Sequence, residues 1–213
     1  MELWNYYRSG TSHRVRIALN LKGLDWQYRS LNLLASDHKQ PAYLDINPQG
    51  LAPALVVDGE VFTQSPAILE YLEEAYPTPP LLPTDTAQRA KVRAMAMIIG
   101  CDIHPLNNLR VITQLKALTQ TQEPPVDWIG RWISEGFAAI EALLARDPSR
   151  AIGCCFGDQP GLVECYLVPQ VYAARRFGIE LSSFPAICAI DAYCATLPAF
   201  QAAHPDLQPD TPQ

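Results

Sequence analysis

Apolar residues change their spacing along this chain, and the change divides it in two. In the first third, short apolar runs of strand length are separated by turn residues. Residues 2–7 and 26–33 read as strands, and Ala54–Val57 with 61–63 as the arms of a hairpin closed by Asp58-Gly59. Between the first two strands, Val15, Ile17, Ala18, Leu19 and Leu21 mark a helix over 12–22, with Gly23 as its stop. Residues 37–46 are polar and predict a loop with a helical turn. Ser65-Pro66 has the form of a helix start, serine as cap and proline in the first position, followed by the stripe Ile68, Leu69, Leu72. The order is β-α-β-loop-β-β-α.

Beyond the stiff run Pro77-Thr78-Pro79-Pro80-Leu81-Leu82-Pro83 the strand signals vanish. Helical periodicity covers 88–118, 128–146, 162–177 and 184–195. Pro105 and Pro169 interrupt these patterns and predict a kink or break. Trp128, Trp132 and Phe137 have helical spacing and read as core. The pattern assigns an α/β domain to 1–80, a linker to 81–87 and an all-α domain to 88–213. The tail over 205–213, rich in Pro, Asp and Gln, is expected to be loosely held.

Composition narrows the chemistry. With 213 residues, 48% hydrophobic and 18% charged, the chain suits a soluble globular protein. A net charge of −6 argues against nucleic acid and anionic membrane surfaces as partners. No run of about 18 apolar residues suggests a membrane span. The opening residues read as strand rather than as a leader, which predicts a cytoplasmic protein. The six cysteines, Cys101, Cys154, Cys155, Cys165, Cys188 and Cys194, are then expected to be reduced thiols. Adjacent Cys154-Cys155 lack metal-ligand spacing, and no metal is expected. An anionic small substrate would need a local cluster of arginines against the overall field.

The junction Arg8-Ser9-Gly10-Thr11-Ser12-His13-Arg14-Val15-Arg16 carries the strongest chemical signal. It places Ser9, Thr11 and Ser12 where unpaired N–H groups point out of a helix start, a setting that holds an anion and lowers a thiol pKa. Ser9 or Ser12 acting only as a cap is the simpler use of the same residues. Arg14 and Arg16 read as structural. Gln64-Ser65 offers a second helix start, a plain cap or a place for a carboxylate, and Ala52-Pro53, by itself an ordinary turn proline, would if cis offer a backbone edge with which an extended peptide could pair.

These motifs resemble those of the glutathione transferases. The strand-to-helix hydroxyl turn, the loop Asn47-Pro48-Gln49-Gly50-Leu51-Ala52-Pro53 and Gln64-Ser65 occupy the family's positions, and the resemblance covers essentially the whole chain. Within the family, the Arg8–Arg16 stretch resembles the zeta class. So do Ile103-His104-Pro105-Leu106-Asn107-Asn108-Leu109, Leu167-Val168-Pro169-Gln170 and Gln208-Pro209-Asp210-Thr211-Pro212. Gly100-Cys101-Asp102-Ile103-His104-Pro105 is similar to the class's bacterial maleylpyruvate isomerases. Many zeta members have Ser-Ser-Cys where this chain has Ser9-Gly10-Thr11, so thiolate stabilisation falls on Ser9, Thr11 and backbone N–H groups.

The resemblance implies a glutathione transferase fold: a thioredoxin-like domain, cis at Ala52-Pro53, followed by a helical domain. It implies glutathione held by Ser9, Thr11, His38, Ala52, Gln64, Ser65, Asp102, His104 and Asn108. His104 and Asn108, four residues apart, are expected on one helix face. Catalysis is assigned to Ser9, Thr11 and Arg8, and a dicarboxylate substrate to Arg8, Arg110 and Arg176. Arg175 competes with Arg176, and regular helix geometry turns Arg110 about 200° from Asn108 unless Pro105 distorts the helix. The implied activity is glutathione-dependent cis–trans isomerisation of a maleyl-keto acid, maleylpyruvate or maleylacetoacetate, in aromatic-compound degradation by a homodimer. A conjugating or dehalogenating transferase is the alternative use of the same thiolate.

Overall fold

The computed structural model describes residues 1–123, 125–147 and 150–212. The chain divides into two compact units. One comprises Met1–Leu82 with the described part of Ala195–Gln213, the other Pro83–Cys194. Among the described residues, no helix is long and apolar enough to cross a membrane.

The first unit is built on a four-stranded sheet in the order β2-β1-β3-β4. Strand β1 (Glu2–Asn5) pairs parallel with β2 (Gln27–Ser30) and antiparallel with β3 (Ala54–Val57), which pairs antiparallel with β4 (Glu60–Thr63). The hairpin turn needs positive φ at both central residues, and Asp58 and Gly59 adopt 51° and 89°. Helix α1 (Gly10–Leu21) makes the parallel crossover and packs against α3 (Ser65–Ala75) and α9 (Pro198–Ala203). Gly23 at φ 64° stops α1 as expected. Leu3, Val15, Leu19, Leu55, Ile68 and Leu72 are fully buried and form the core, each contributing about 1.5–3 kcal/mol of burial energy. The polar stretch 37–46 holds a 3₁₀ turn at Asp37–Lys39 and the single-turn helix α2 (Pro41–Leu44).

Three expectations about the ends of this unit are corrected. The stiff proline-rich segment expected to link the domains is itself clamped to the first unit. Leu81 and Leu82 are buried, and their N–H groups donate to the Glu73 carboxylate at 2.9 and 3.1 Å. Lys22 Nζ bonds Glu73 and the carbonyls of Tyr76 and Pro79. The chain after residue 194 does not stay with the helical domain expected over 88–213. It returns to α1, where Asn20 donates to Ala199 O and Arg16 to Ala203 O, both at 3.0 Å. The tail is tied as well, because Asp210 accepts the Tyr7 N–H at 3.1 Å and the Tyr28 hydroxyl. Gln213, the last residue of that expectation, lies outside the described residues.

The second unit is helical: α4 (Thr86–Met97), α5 (Leu109–Thr119), α6 (Val126–Leu144), α7 (Leu162–Arg176) and α8 (Pro185–Cys194). Its core gathers Val92, Met95, Ile99, Ile103, Ile133, Phe137, Tyr166 and Ile187. The helix expected over 88–118 is not continuous. It becomes π-helical at Ile98–Ile103 and 3₁₀ at Pro105–Asn107, then restarts after Asn108. Pro169, by contrast, does not break α7. It is buried inside the helix, where packing outweighs the lost backbone bond. Phe137 is core as expected, whereas Trp128 and Trp132 are half-buried.

Candidate active site

Strand β1 delivers the chain to a four-residue turn, 6–9, that ends at Ser9, the cap of α1. Ser9 is extended (φ −69°, ψ 119°), and its hydroxyl accepts the Ser12 N–H at 3.2 Å. Its oxygen lies 2.9 Å from Thr11 Oγ1, and Thr11 Oγ1 donates to the Ala52 carbonyl at 2.9 Å. A hydroxyl has one proton. With Thr11's given to Ala52, Ser9 is the donor to Thr11. The relay runs Ser9 to Thr11 to Ala52, and only its Ser9 end can turn toward another acceptor without breaking the tie to the loop. Gly10 and Thr11 supply the remaining N–H donors of the first turn. No acidic residue sits in that turn to oppose an anion. Capping and anion binding are therefore uses of one oxygen rather than alternatives.

Positive charge surrounds this start. Arg8, half-buried, precedes Ser9, with its guanidinium 5.7 Å from the centre of the Tyr7 ring. Arg14 and Arg16 are structural, as expected, and both are buried. Arg16 donates to Asn5 Oδ1 (2.9 Å), Tyr6 O (3.4 Å) and Tyr7 O (2.8 Å), which fixes the turn. Arg14 Nη1 donates to Ser65 Oγ at 3.3 Å and so links α1 to the start of α3.

The loop before the hairpin is anchored from below. Tyr43 and Asn47 both donate to Leu51 O at 2.7 Å, beneath Ala52, and the Ala52-Pro53 bond is cis. Gly50 has φ 59°, and a Cβ there would lie 2.8 Å from His38 O, so this bend requires glycine. His38 sits beside it with a buried Nδ1 lacking a partner, and desolvation followed by Lys39 holds its pKa below the ordinary value. The start of α3 corrects one reading. Ser65 is not the side-chain cap. Gln64 takes the cap position at φ 66°, and the Ser65 hydroxyl, buried, accepts from Arg14. Having accepted, it keeps its own proton to give. Exposed Gln64 donates to Gln49. Arg8, Ser9, Thr11, His38, Ala52, Gln64 and Ser65 all lie in the first unit, where hydrogen bonds join Ser9, Thr11 and Ala52.

In the second unit, the shared helix face expected for His104 and Asn108 does not exist. His104 precedes the 3₁₀ turn, and Asn108 is extended (φ −66°, ψ 147°), capping α5 by accepting the Arg110 N–H at 3.2 Å. The same break places Asn108 and exposed Arg110 on one N-terminal turn, so the 200° separation does not apply. Asp102 is exposed in the π-helical segment. At the end of α7, Arg175 pairs with Asp191 at 2.6 Å, whereas the Arg176 guanidinium stacks 4.1 Å from the Phe177 ring centre. None of the six cysteines forms a disulfide, and Cys154, Cys155, Cys165 and Cys194 are buried.

A family model described as glutathione S-transferase, N-terminal domain, matches residues 8–75. The maleylacetoacetate isomerase of Pseudomonas aeruginosa is 52% identical, over 100% of this chain and 99% of its own. A holo structure of a maleyl pyruvate isomerase, described as a bacterial glutathione S-transferase in the zeta class, has 52% identity and a TM-score of 0.97 over 100% of both chains. The chain belongs to the zeta-class glutathione transferases.

A further relative of this zeta-class transferase comes from Anaeromyxobacter dehalogenans. It is a maleylacetoacetate isomerase with dicarboxyethyl glutathione and citrate in its active site, 41% identical, with a TM-score of 0.86 over 99% of this chain and 93% of that one. In the zeta-class transferase described above, the two helix starts and the Ser9–Thr11 hydroxyls have the donor chemistry a tripeptide with two carboxylates and a thiol requires. The sequence does not show the partners of three supports of that arrangement. Arg14 reaches Ser65, Asn47 with Tyr43 holds Leu51, and Asp210 holds Tyr7. For Arg14 a signal existed in the sequence. It lies among the apolar positions of a helix that is buried from Ser12 to Leu19, where an arginine needs internal acceptors.

Proposed function

We propose that this zeta-class transferase is a glutathione-dependent cis–trans isomerase that converts maleylpyruvate to fumarylpyruvate, or maleylacetoacetate to fumarylacetoacetate. Bound glutathione supplies a thiolate able to add reversibly to a cis carbon–carbon double bond. The chain's own residues do the rest. Ser9, with the Gly10 and Thr11 N–H groups, holds the negative sulfur, and Thr11 keeps the Ala52 loop in register with it. Gln64 and Ser65 take the γ-glutamyl end, with His38 on the loop beside Gly50. Arg8 grips a substrate carboxylate with its planar fork and stabilises the charge that develops on the keto oxygen. In the second unit, Arg110 and Arg176 are the proposed carboxylate ligands, and Asp102, His104 and Asn108 further glutathione contacts.

The observation that carries this reading is the Ser9–Thr11–Ala52 relay at an acid-free helix start directly behind Arg8. The test is turnover of both acids, followed by ultraviolet absorbance, with and without glutathione. Turnover that needs glutathione but does not consume it is the expected result. Stoichiometric loss of glutathione would instead identify a conjugating transferase. The same reading makes the protein a cytoplasmic homodimer acting in aromatic-compound degradation, and light scattering on the purified chain tests the dimer.

A further inference from the structure

The closing motif Gln208-Pro209-Asp210-Thr211-Pro212 has no part in the chemistry above, yet its polar side chains are all engaged. Gln208, buried, donates to Ala202 O at 2.9 Å and His204 O at 2.8 Å. Thr211 donates its hydroxyl to Pro205 O at 2.6 Å and its N–H to Gln208 O at 3.1 Å. These bonds fold the tail into a strap with Asp210 directed at the β1–α1 turn. One Asp210 oxygen accepts the Tyr7 N–H at 3.1 Å, and the other accepts the Tyr28 hydroxyl from β2. Burial first, and Asp210 second, push the Tyr28 phenol above its ordinary pKa, so it stays a donor.

The turn is therefore gripped from both ends of the sequence. Arg16 holds the Tyr7 carbonyl at 2.8 Å and Asp210 holds the Tyr7 N–H, which fixes the peptides on either side of that residue. Tyr7 in turn lies against Tyr6, ring centres 4.6 Å apart, and under the Arg8 guanidinium. Other ties on the turn come from α1 or from the turn itself, through Ser9, Thr11, Ser12, His13 and Arg16. Asp210 is the tie that comes from 203 residues away.

We propose that Asp210 is a positioning residue, through which the C-terminal strap sets the direction of the Tyr7–Arg8 peptide and hence of the Arg8 guanidinium. The proposal rests on the isomerase reading's assignment of Arg8 to the substrate. Asp210→Ala frees the Tyr7 N–H and the Tyr28 hydroxyl together. Asp210→Asn keeps an acceptor for the first and an amide that can donate to the oxygen of the second.

The experiment measures isomerase kinetics, glutathione binding by calorimetry and amide exchange at Tyr7 and Arg8. Wild type, Asp210→Ala, Asp210→Asn, Arg8→Ala and the Asp210→Ala/Arg8→Ala double variant are compared. Asp210→Ala is expected to lose about tenfold in kcat/KM for the keto acid, the loss of one charge-assisted hydrogen bond. Glutathione affinity should hold within about twofold. Asp210→Asn should recover most of the rate, and the double variant should be no slower than Arg8→Ala alone. A loss that adds fully to that of Arg8→Ala, or one confined to glutathione binding, overturns the proposal and leaves the strap a stabilising element. Should wild type show no turnover, the isomerase reading fails. Exchange then decides the strap separately, with about tenfold faster exchange at Tyr7 in Asp210→Ala expected and unchanged exchange overturning it. If Asp210→Ala does not fold, Tyr28→Phe removes one of the two Asp210 bonds and should lose less, in the same direction and again without adding to Arg8→Ala. Tyr28→Phe kinetics indistinguishable from wild type would then count against the proposal.

Discussion

Proton placement at the start of α1 predicts different consequences for its two hydroxyls. Thr11 has given its proton to the Ala52 carbonyl, so Ser9 is the group that can donate to a sulfur anion. A hydrogen bond to a charged acceptor is worth roughly 1.5–3 kcal/mol. At about 1.36 kcal/mol per pKa unit, Ser9→Ala should raise the pKa of bound glutathione by about 1–2 units. The substitution also removes the cap that accepts the Ser12 N–H, a loss of about 1 kcal/mol in stability. Thr11→Val removes the tie to Ala52 but leaves the Ser9 proton without its former acceptor and free to turn. Its effect should fall on glutathione affinity, up to about tenfold, with the thiol pKa unmoved. The assay is thiolate absorbance of the glutathione complex titrated with pH, alongside the pH profile of kcat/KM. Rate rises with pH through the thiol pKa, so the rising limb moves to higher pH in Ser9→Ala. A thiol pKa unchanged from wild type in Ser9→Ala together with a raised one in Thr11→Val would show that the protons are placed wrongly.

Three further outcomes are expected. Glu73→Gln removes the carboxylate that faces Lys22 Nζ and two backbone N–H groups, with both side chains almost fully buried, and should cost about 3–5 kcal/mol by denaturant unfolding. His13 is buried, and desolvation first, then Arg16 and His204, hold its pKa well below 6.5. The unfolded chain therefore binds a proton that the folded chain refuses. Stability from this residue is flat above about pH 6.5 and falls below it by up to about 1.4 kcal/mol per unit. His13→Asn should flatten that part of the denaturation midpoint between neutral pH and about 5. Arg176→Ala should raise the KM for the keto acid about tenfold. Arg175→Ala should leave KM alone and cost at most about 1 kcal/mol of stability, since its bond to Asp191 is half exposed.

What was legible in the sequence was local. Asp58-Gly59 adopts the positive φ pair its residues favour, Gly23 ends α1, and the hydroxyls of Ser9 and Thr11 lie at a helix start because the apolar positions of α1 begin just after them. What was not legible depends on distant partners or on small energy differences. Nothing in α9's six residues announces that they cover α1, and Arg16 looks like any helix arginine until its acceptors at Asn5, Tyr7 and Ala203 are known. The break after Ile103 was half visible. Pro105 signalled it, but the periodicity of the flanking residues runs on as if the helix did, and Asn108 was read for its side-chain chemistry rather than as a cap. At Pro169 the expected break does not occur, because α7 continues through the buried proline.

The unit that opens at Met1 is closed by residues made only after the whole helical unit. When the sheet and α1 have been synthesised, the acceptor for Arg16 at Ala203 and the carboxylate of Asp210 are still more than a hundred codons away. The inserted helical unit is continuous and has all of its own residues first. The half of the molecule that carries the hydroxyl relay is therefore finished only after the segment from Ala195 onward has been made and folds back onto it.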